Sequence, residues 1–209
     1  MSTPLRVVLA SGNRGKLREF ADMLAETGIL FEPQSAFGIE PPEETGLTFL
    51  DNALLKARHA ALRTGWPAIA DDSGLEVDAL DGAPGIRSAR YAGDDASDAQ
   101  NIARLLGALE SVADVERTAR FRCVIAFVRS AEDPSPLVGE GVWSGRILRA
   151  PRGDGGFGYD PIFAPECPTE LSAVEGLSVA EWPTTLKHRY SHRGIALRAW
   201  LGQWRRQRE

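Results

Sequence analysis

The sequence predicts an α/β fold in one continuous domain, residues 1–209. In its first half, short apolar runs typical of buried strands alternate with segments whose apolar residues recur at helical spacing. The 209 residues are 43% hydrophobic, which is enough to form a full core. No repeat, low-complexity tract or long linker divides them. We therefore expect one large domain or two tightly joined lobes, with ample material for a binding cleft.

The first elements are predicted to be a strand, a glycine-containing loop and a helix. Residues 5–10 are the predicted buried strand, residues 11–16 form the loop, and Leu17 and Phe20 begin the helical spacing. Such an arrangement directs backbone N–H groups and the positive end of a helix at an anion, and Lys16 adds a full charge. An ordinary connection needs neither two cations nor two glycines, so the loop favours phosphate binding. It is not a Walker loop, because its glycines are too closely spaced and Leu17 stands where Ser or Thr would meet magnesium.

Two acidic residues, Glu43 and Glu44, precede a second helix that is predicted to begin at about Thr48. The apolar stripe of this helix includes Ala53 and Ala57. The acids either interact with the positive helix N-terminus or bind a metal ion, and the sequence alone leaves these two interpretations even.

A short apolar run, residues 67–70, ends at Asp71 and Asp72, which Ser73 and Gly74 follow. Because the side chains of a strand alternate between faces, one carboxylate can enter a cleft while its neighbour braces the loop. This geometry suits a metal and a phosphate. A capped turn is the simpler interpretation of the motif alone, since Asp and Ser are common in turns.

Further along, residues 82–85 are rich in turn-forming residues, and a third helix is predicted from about Asp95 to Glu110 with Asp and Ser residues as its cap. Residues 118–128 and 137–148 then form two extended runs with β-branched and aromatic residues. These runs predict a hairpin.

The segment of residues 153–160 is too rich in glycine to be regular and too aromatic to be a plain linker. Phe157 or Tyr159 could stack on a purine base, an interaction worth ~1–3 kcal/mol per base in single-strand binders. The rings could equally be core anchors beneath the loop, as aromatic residues usually are.

Residues 187–194 hold two of the three histidines of the chain and three further cations. A helix follows whose apolar stripe includes Leu197 and Trp200, and Ser191 is its predicted N-cap. The cluster either recognises an anion or a carbonyl oxygen or is a solvated charged loop. Taken alone, the second interpretation is the simpler one.

Composition limits the compartment and the partners. A formal net charge of -5 disfavours non-specific binding to nucleic acid, which needs clustered cations. Cys123 and Cys167 cannot form a disulfide framework, and no charged-then-apolar leader starts the chain. No segment has the pattern of a membrane span. We therefore expect a cytoplasmic protein, and the net charge is compatible with a small anion that is bound locally.

Six motifs occur in one order over nearly the whole chain. They are Ser-Gly-Asn-Arg-Gly-Lys at 11–16, Glu-Glu-Thr-Gly-Leu-Thr-Phe at 43–49, Ala-Asp-Asp-Ser-Gly-Leu at 70–75, Gly-Ala-Pro-Gly-Ile-Arg-Ser-Ala-Arg-Tyr at 82–91, Gly-Gly-Phe-Gly-Tyr-Asp-Pro-Ile-Phe at 155–163 and Ser-His-Arg-Gly at 191–194. Together they resemble the inosine triphosphate pyrophosphatase family, the bacterial pyrophosphatases of non-canonical purine nucleoside triphosphates. Ser11 is a mild departure, since Thr is frequent there in the family, but the hydroxyl is retained.

The resemblance implies a fold, an activity and a cofactor. The implied fold is an elongated mixed β-sheet flanked by helices, with two lobes around a central cleft. The implied activity is hydrolysis of ITP, dITP and XTP to the monophosphate and pyrophosphate, which keeps deaminated purines out of DNA and RNA. Members of the family are similar in being Mg²⁺-dependent homodimers, without a nucleic-acid or membrane partner.

The resemblance also implies roles for single residues. Glu43 and Asp72 would bind Mg²⁺, Asp72 would be the proton acceptor, and Glu44 is a supporting alternative. Substrate-binding residues would be Ser11, Gly12, Asn13, Arg14, Gly15, Lys16, Ser73, Phe157, Gly158, Tyr159, Asp160, Lys187, His192 and Arg193. A carboxylate beside a cation is a poor base, so it stays open whether Asp72 removes a proton from water or only positions the water.

Donors from His192, Arg193 or nearby backbone would suit the purine oxygen at position six, where adenine carries an amino group. Two other functions remain open at this point. One is a related enzyme that acts on modified pyrimidine or methylated nucleotides, and the other is a nucleotide-binding module without catalysis.

Overall fold

A computed structural model describes residues 5–25 and 27–207 of the chain. Over these residues it confirms the α/β fold class: a mixed six-stranded sheet is flanked by helices. The strands and helices are, in order, β1 (Arg6–Leu9), α1 (Arg14–Leu24), β2 (Leu30–Pro33), α2 (Phe49–Thr64), β3 (Ala68–Val77), α3 (Asp98–Ala108), β4 (Thr118–Val128), β5 (Leu137–Ile147), β6 (Phe163–Pro165), α4 (Thr184–Tyr190) and α5 (His192–Arg206). Short 3₁₀ segments lie between several of them.

The strand order in the sheet is β2-β1-β3-β4-β5-β6. β1 runs parallel to both β2 and β3, with Val8 opposite Ala68. β5 and β6 are antiparallel, with Ile147 opposite Phe163. The mixture of parallel and antiparallel pairs is that of an α/β fold whose helices connect the parallel strands.

The chain divides into two compact units. The first unit comprises Met1–Asp72, Cys123–Gly141 and Arg193–Glu209, and the second comprises Ser73–Arg122 and Val142–His192. The expected single domain with two lobes stays a prediction.

In the first unit, β1 is covered on both faces of the sheet. Val7 and Leu9 of β1 belong to a cluster with Phe20 of α1 and Trp200 of α5. Val8 and Ala10 point to the other face, where the small alanines of α2 cover them. This alternation explains why residues 7–10 form a continuous apolar run, as is usual in a strand with helices on both sides.

In the second unit, aromatic residues dominate the core. The ring of Trp143 lies with its centroid 5.8 Å from that of Phe163 and 5.4 Å from that of Trp182, both in edge-on geometry. Leu105 and Leu109, on and just after α3, are fully buried in the same cluster. Edge-on aromatic pairs add to the free energy of area burial, which anchors the irregular segments that surround β6.

Local signals define the helix ends. α2 starts after Thr48, whose side chain forms a capping box with Asp51, and Gly65 ends it with a φ of 71°. α3 starts after Ser97, which forms a capping box with Gln100, so it begins at Asp98 and not at the expected Asp95. The start of α2 and both ends of β4 agree with the sequence prediction.

Two local predictions were wrong. β3 does not end at Ala70 but continues to Val77, so Asp71 and Asp72 lie inside a strand and not in a capped turn. The basic cluster of residues 187–194 is not a loop, because Lys187 lies in α4 and His192 begins α5, with Ser191 between the two helices.

Candidate active site

Asp71 and Asp72 face opposite sides of the sheet in the first unit. Asp71 Oδ2 lies 3.0 Å from Lys16 Nζ of α1 and 3.4 Å from Arg193 Nη2 of α5. Asp72 Oδ1 lies 2.8 Å from Lys56 Nζ of α2. The period-two alternation of β3 therefore gives each carboxylate its own helices and its own lysine.

Lys56 joins two carboxylates, because its Nζ lies 2.8 Å from Asp72 Oδ1 and 2.8 Å from Glu44 Oε1. Asn52, one turn earlier on the same buried face of α2, donates from Nδ2 to Asp72 Oδ2 at 3.3 Å. Two helical residues thereby orient both oxygens of Asp72. The acids of this cluster, named the carboxylate cluster below, are Glu44 and Asp72.

The loop that carries the acids is fixed to the same helix. Asn52 Oδ1 accepts a hydrogen bond of 2.8 Å from the backbone N–H of Gly46. A Cβ at Gly46 would lie 2.6 Å from Asn52 Oδ1 and 2.6 Å from Asp51 Cβ, so only glycine fits there. Glu44 is half-buried and contacts Lys56, whereas Glu43 is exposed. The structure thus brings Glu44 to Asp72 through Lys56, and a metal role for Glu43 stays a prediction.

The two adjacent aspartates have opposite pKa shifts. Burial raises the pKa of Asp72, and the opposing charges of Lys56 and Lys16 do not cancel this effect. Burial also acts to raise the pKa of Asp71, but Lys16, Arg193 and Lys56 outweigh it and hold that pKa below its usual range. The pKa of Lys56 is raised, because its acidic neighbours outweigh the effect of burial. Asp72 is therefore a stronger base than an ordinary aspartate, while Asp71 stays ionised.

The predicted phosphate loop leads into the first turn of α1. Asn13 caps this helix, and its Oδ1 accepts hydrogen bonds from the N–H groups of Gly15 at 2.8 Å and Lys16 at 3.0 Å. Ser11 Oγ accepts a hydrogen bond of 3.2 Å from the N–H of Asn13. Gly12 is exposed, and a Cβ on it would lie 3.2 Å from Pro41 Cγ. The loop is thus held in shape by its own side chains, and phosphate binding to it stays a prediction. The side chain of Arg14 lies outside the described part of the chain.

In the second unit, Asp160 organises the glycine-rich segment of residues 153–160. Its Oδ2 accepts hydrogen bonds from the N–H of Phe157 at 2.9 Å and from Lys187 Nζ at 2.6 Å. Lys187 Nζ in turn lies 4.7 Å from the ring centroid of Phe157, in a cation–π contact. Gly156 has a φ of 74°, and a Cβ there would overlap the Asp160 carboxylate. Lys187, Asp160 and the half-buried Phe157 therefore form one group.

Tyr159 and His192 lie in the core of the second unit. The Tyr159 hydroxyl donates to the Ser88 carbonyl at 2.9 Å, and burial raises the pKa of this tyrosine. The His192 ring stacks on Phe121 with centroids 4.7 Å apart. Tyr159 therefore occupies the core position that was one of its two interpretations, and Phe157 is the more exposed of the two rings. Gly158 donates its N–H to Asp98 at 2.6 Å, and Ser73 is half-buried.

Arg193 is almost fully buried in the first unit. Its guanidinium forms ion pairs with Glu19 of α1 and with Asp71. These acids outweigh the effect of burial and raise the pKa of Arg193. Contact of Arg193 or His192 with a substrate stays a prediction.

Sequence reasoning missed Glu19, Asn52 and Lys56. Each is buried although it lies on a helix whose neighbouring buried residues are mainly apolar. Asn52 and Lys56 are also one turn apart, so they share a helix face with the apolar stripe of α2. Polar residues within an apolar stripe were the available signal.

The donor chemistry suits a divalent cation. Two carboxylates converge on one cationic nitrogen, and carboxylate oxygens are the ligands that hard divalent ions prefer. Within residues 5–25 and 27–207, no group of three or more His, Cys, Asp or Glu side chains could hold a metal ion. Mg²⁺ is commonly bound by one or two carboxylates together with water and substrate phosphates, so the pair of Glu44 and Asp72 fits such an ion.

Taken together, the fold and site define an α/β protein with buried carboxylates and lysines beside a glycine-containing loop that leads into a helix. Comparison with known proteins identifies the family of this chain. The chain belongs to the Ham1 family, whose family model matches residues 7–203. This confirms the family relationship inferred from the six motifs.

Relatives match over almost the whole chain. A protein of Thioalkalivibrio sulfidiphilus named dITP/XTP pyrophosphatase is 57% identical over 94% of this chain and 97% of its own length. A protein of the same name from Yersinia pestis is 55% identical over 94% of this chain and 96% of its own length. The structure of a HAM1 protein from Coxiella burnetii is 49% identical, with a TM-score of 0.82 over 93% of this chain and 95% of that one.

Proposed function

We propose that this chain hydrolyses the non-canonical purine nucleoside triphosphates ITP, dITP and XTP to the monophosphate and pyrophosphate, and so removes them from the nucleotide pool. The observation that carries the proposal is the carboxylate cluster. Glu44 and Asp72 meet at Lys56, in a chain whose relatives at 55–57% identity are named dITP/XTP pyrophosphatase. The chain is accordingly a nucleoside triphosphate pyrophosphatase.

In the proposed reaction, Asp72 accepts a proton from the attacking water. Burial raises its pKa, so its carboxylate accepts a proton more readily than a solvated aspartate does. Asn52 and Lys56 hold both of its oxygens, which orients the carboxylate toward one water position. The water oxygen bonds to the α-phosphorus, the bond from this phosphorus to the bridging oxygen breaks, and pyrophosphate leaves with the electron pair.

Lys16 and the loop of residues 11–16 stabilise the negative charge of the departing pyrophosphate. The loop lies at the N-terminus of α1, where the helix dipole favours an anion. Lys16 adds an ammonium group that is directed to the same region by Asp71.

We propose Mg²⁺ as the divalent metal of this pyrophosphatase. Asp72 and Glu44 would hold it, with Glu43 as the neighbouring acid in the same loop. When bound, the ion neutralises charge on the triphosphate oxygens. Lys56 lies between the two carboxylates and reduces their mutual repulsion.

Recognition of the base is assigned to the group of Phe157, Asp160 and Lys187. The ring of Phe157 offers a stacking surface, and Asp160 fixes both its backbone and Lys187. A donor directed at position six of the purine favours the oxygen of hypoxanthine or xanthine, and would leave the amino group of adenine without an acceptor.

The decisive test is pyrophosphate release from dITP, XTP, ATP and GTP in the presence of Mg²⁺. We expect turnover of dITP and XTP, little turnover of ATP, and a loss of at least ~10²-fold in Asp72→Asn. Asp78→Asn is the matched control, because it makes the same chemical change at a half-exposed carboxylate that pairs with Arg120 on the surface. Equal turnover of ATP, or full activity in Asp72→Asn, contradicts the proposal.

We also propose that the protein acts in the cytoplasm as a homodimer, with the nucleotide as its small-molecule ligand and neither nucleic acid nor membrane as a partner. Among the described residues, no helix is long and apolar enough to cross a membrane. Gel filtration with light scattering tests the dimer, and a monomeric mass at working concentration contradicts it.

A further inference from the structure

Four buried or nearly buried side chains form a row of alternating charge in the first unit. Glu19 pairs with Arg193 Nη1, Arg193 Nη2 lies 3.4 Å from Asp71 Oδ2, and the same Oδ2 lies 3.0 Å from Lys16 Nζ. We call these residues the charge row. Lys16 is the most exposed member, with 15% of its side chain accessible, and it lies at the loop of residues 11–16.

Arg193 and Lys16 share one oxygen atom of Asp71. Both cations contact Oδ2, and the contact of Lys16 is the shorter. Glu19 contacts the other terminal nitrogen of the same guanidinium. Because an ion pair with Glu19 balances the charge of Arg193, it weakens the pull of Arg193 on Asp71. Glu19 therefore influences how firmly Asp71 holds Lys16.

We propose that Glu19 and Asp71 are positioning residues for pyrophosphate binding, with Glu19 acting through Arg193 on Asp71, and Asp71 holding the ammonium group of Lys16. The proposal rests on the proposed function. An ammonium group has three N–H donors, so one bond to Asp71 leaves two for phosphate oxygens. Lys16 is then held near its bound position before the substrate arrives, which reduces the conformational entropy lost on binding.

Glu19→Gln is the informative change, because it keeps the size of the side chain and removes its charge. Arg193 then keeps Asp71 as its acidic partner in the row and draws the carboxylate away from Lys16. We expect the Kd for inorganic pyrophosphate to rise ~10-fold, a coupling typical of groups in one charged network. The KM for dITP should rise by a similar factor while kcat changes little, because the effect is on binding of the phosphate end.

A second variant removes the positive charge of Arg193 as well. In Glu19→Gln combined with Arg193→Met, neither charge of the buried pair remains, and Asp71 keeps Lys16. Replacing a buried ion pair by neutral groups of similar size is commonly tolerated, whereas removing one partner is not. The affinity for pyrophosphate should return to within about 2-fold of the wild type, within the usual additivity error. Pyrophosphate has no base, so a contact of Arg193 with the purine does not enter this measurement.

Dependence on Lys16 separates positioning from a general structural role. In a Lys16→Met background, Glu19→Gln should have no further effect on pyrophosphate affinity, because the group that it positions is gone. A purely structural role would weaken binding equally in both backgrounds. Glu32→Gln is the matched control, since Glu32 pairs with an arginine, Arg6, in the same unit but at the surface. It should leave the Kd unchanged.

The test is isothermal titration calorimetry of inorganic pyrophosphate into the full chain without a divalent metal, repeated with Mg²⁺, with thermal melting to show that each variant is folded. A weaker affinity in Glu19→Gln that disappears in the Lys16→Met background supports the proposal. Unchanged affinity, or equal weakening in both backgrounds, overturns it. If Glu19→Gln does not fold, the double variant decides, and loss of its pyrophosphate affinity overturns the proposal. A wild-type chain that neither binds pyrophosphate nor releases it from dITP overturns the proposed function itself.

Discussion

Asp71 and Asp72 are consecutive residues of β3, yet they meet different lysines: Asp71 Oδ2 lies 3.0 Å from Lys16 Nζ, and Asp72 Oδ1 lies 2.8 Å from Lys56 Nζ. Both carboxylates are buried, but the pKa of Asp71 is lowered and that of Asp72 is raised. Neighbouring carboxyl groups whose pKa values are shifted apart are suited to separate tasks. Asp71 therefore stays ionised and anchors cations, whereas Asp72 takes up a proton more readily, as its proposed role as a base requires.

Asp71→Asn should destabilise the protein. The folded-state pKa of Asp71 lies below its unfolded value, so the ionised group stabilises the fold above the ordinary aspartate range, and this stability is lost as pH falls through the folded pKa. The substitution removes the anion that Lys16 and Arg193 share. Removal of one partner from a buried ionic group should lower the free energy of unfolding by about 3 kcal/mol at pH 7. Urea unfolding in metal-free buffer measures this free energy. Asp78→Asn, at a half-exposed ion pair, is the control, and an equal loss there contradicts the prediction.

Asp72→Asn should have the opposite effect on stability. Its folded-state pKa is raised, so the protonated form is favoured in the fold, and stability decreases as pH rises from the unfolded pKa through the folded one. The neutral amide avoids this loss. It also removes the main anion beside Lys56, but Lys56 keeps Glu44 as a partner, so this second effect is the smaller one. A single stabilising substitution commonly gains about 0.5–2 kcal/mol, and we expect a gain of about 1 kcal/mol here. We expect a higher Tm for the variant at pH 8 in metal-free buffer and a smaller difference at pH 4. A lower Tm at pH 8 contradicts this interpretation of Asp72.

Phe157→Ala should weaken the binding of dITP but not the binding of pyrophosphate. The ring is half-buried beside Lys187, and loss of base stacking is worth about 1–3 kcal/mol by alanine substitution, so the KM for dITP should rise ~10-fold or more. Pyrophosphate affinity should not change, because pyrophosphate has no base. Steady-state kinetics and calorimetry measure the two quantities.

Tyr159→Phe tests the other aromatic residue of the segment 153–160, which lies in the core. It removes the buried hydrogen bond from the Tyr159 hydroxyl to Ser88 and should lower the free energy of unfolding by about 1 kcal/mol. If Phe157→Ala leaves the KM for dITP unchanged, Phe157 is not a base-stacking residue.

Elements with strong local signals could be predicted from the sequence. The capping box of Thr48 and Asp51 and the glycine at position 65 define α2, and both ends of β4 follow from its β-branched and aromatic run. β3 could be predicted only in part. Its residues 71–74 are typical of turns, and the ion pairs of Asp71 and Asp72 with distant helices hold them in a strand.

The residues of the candidate site divide in the same way, into those with a local sequence signal and those that depend on distant contacts. Asp72 and Lys16 were predicted because they lie in short motifs with a chemical meaning. Lys56 and Glu19 were not, because their partners lie 16 and 174 positions away in sequence, and such pairing depends on how the helices pack on the sheet. A charged residue in an apolar stripe indicates a buried partner but does not identify it.

Gly139→Ala should destabilise the first unit, because β5 and α5 approach closely at this glycine. A Cβ there would lie 2.8 Å from both Cβ and N of Trp200 and would overlap the carbonyl oxygen of Ala196. Overpacking of this kind costs about 2 kcal/mol. Gly107→Ala is the matched control, since a Cβ at this exposed position of α3 meets nothing within 4 Å. Alanine there should stabilise the protein by about 0.5 kcal/mol, because it restricts the unfolded backbone. Urea unfolding of both variants measures the difference, and equal stabilities would mean that β5 and α5 are not in contact at Gly139.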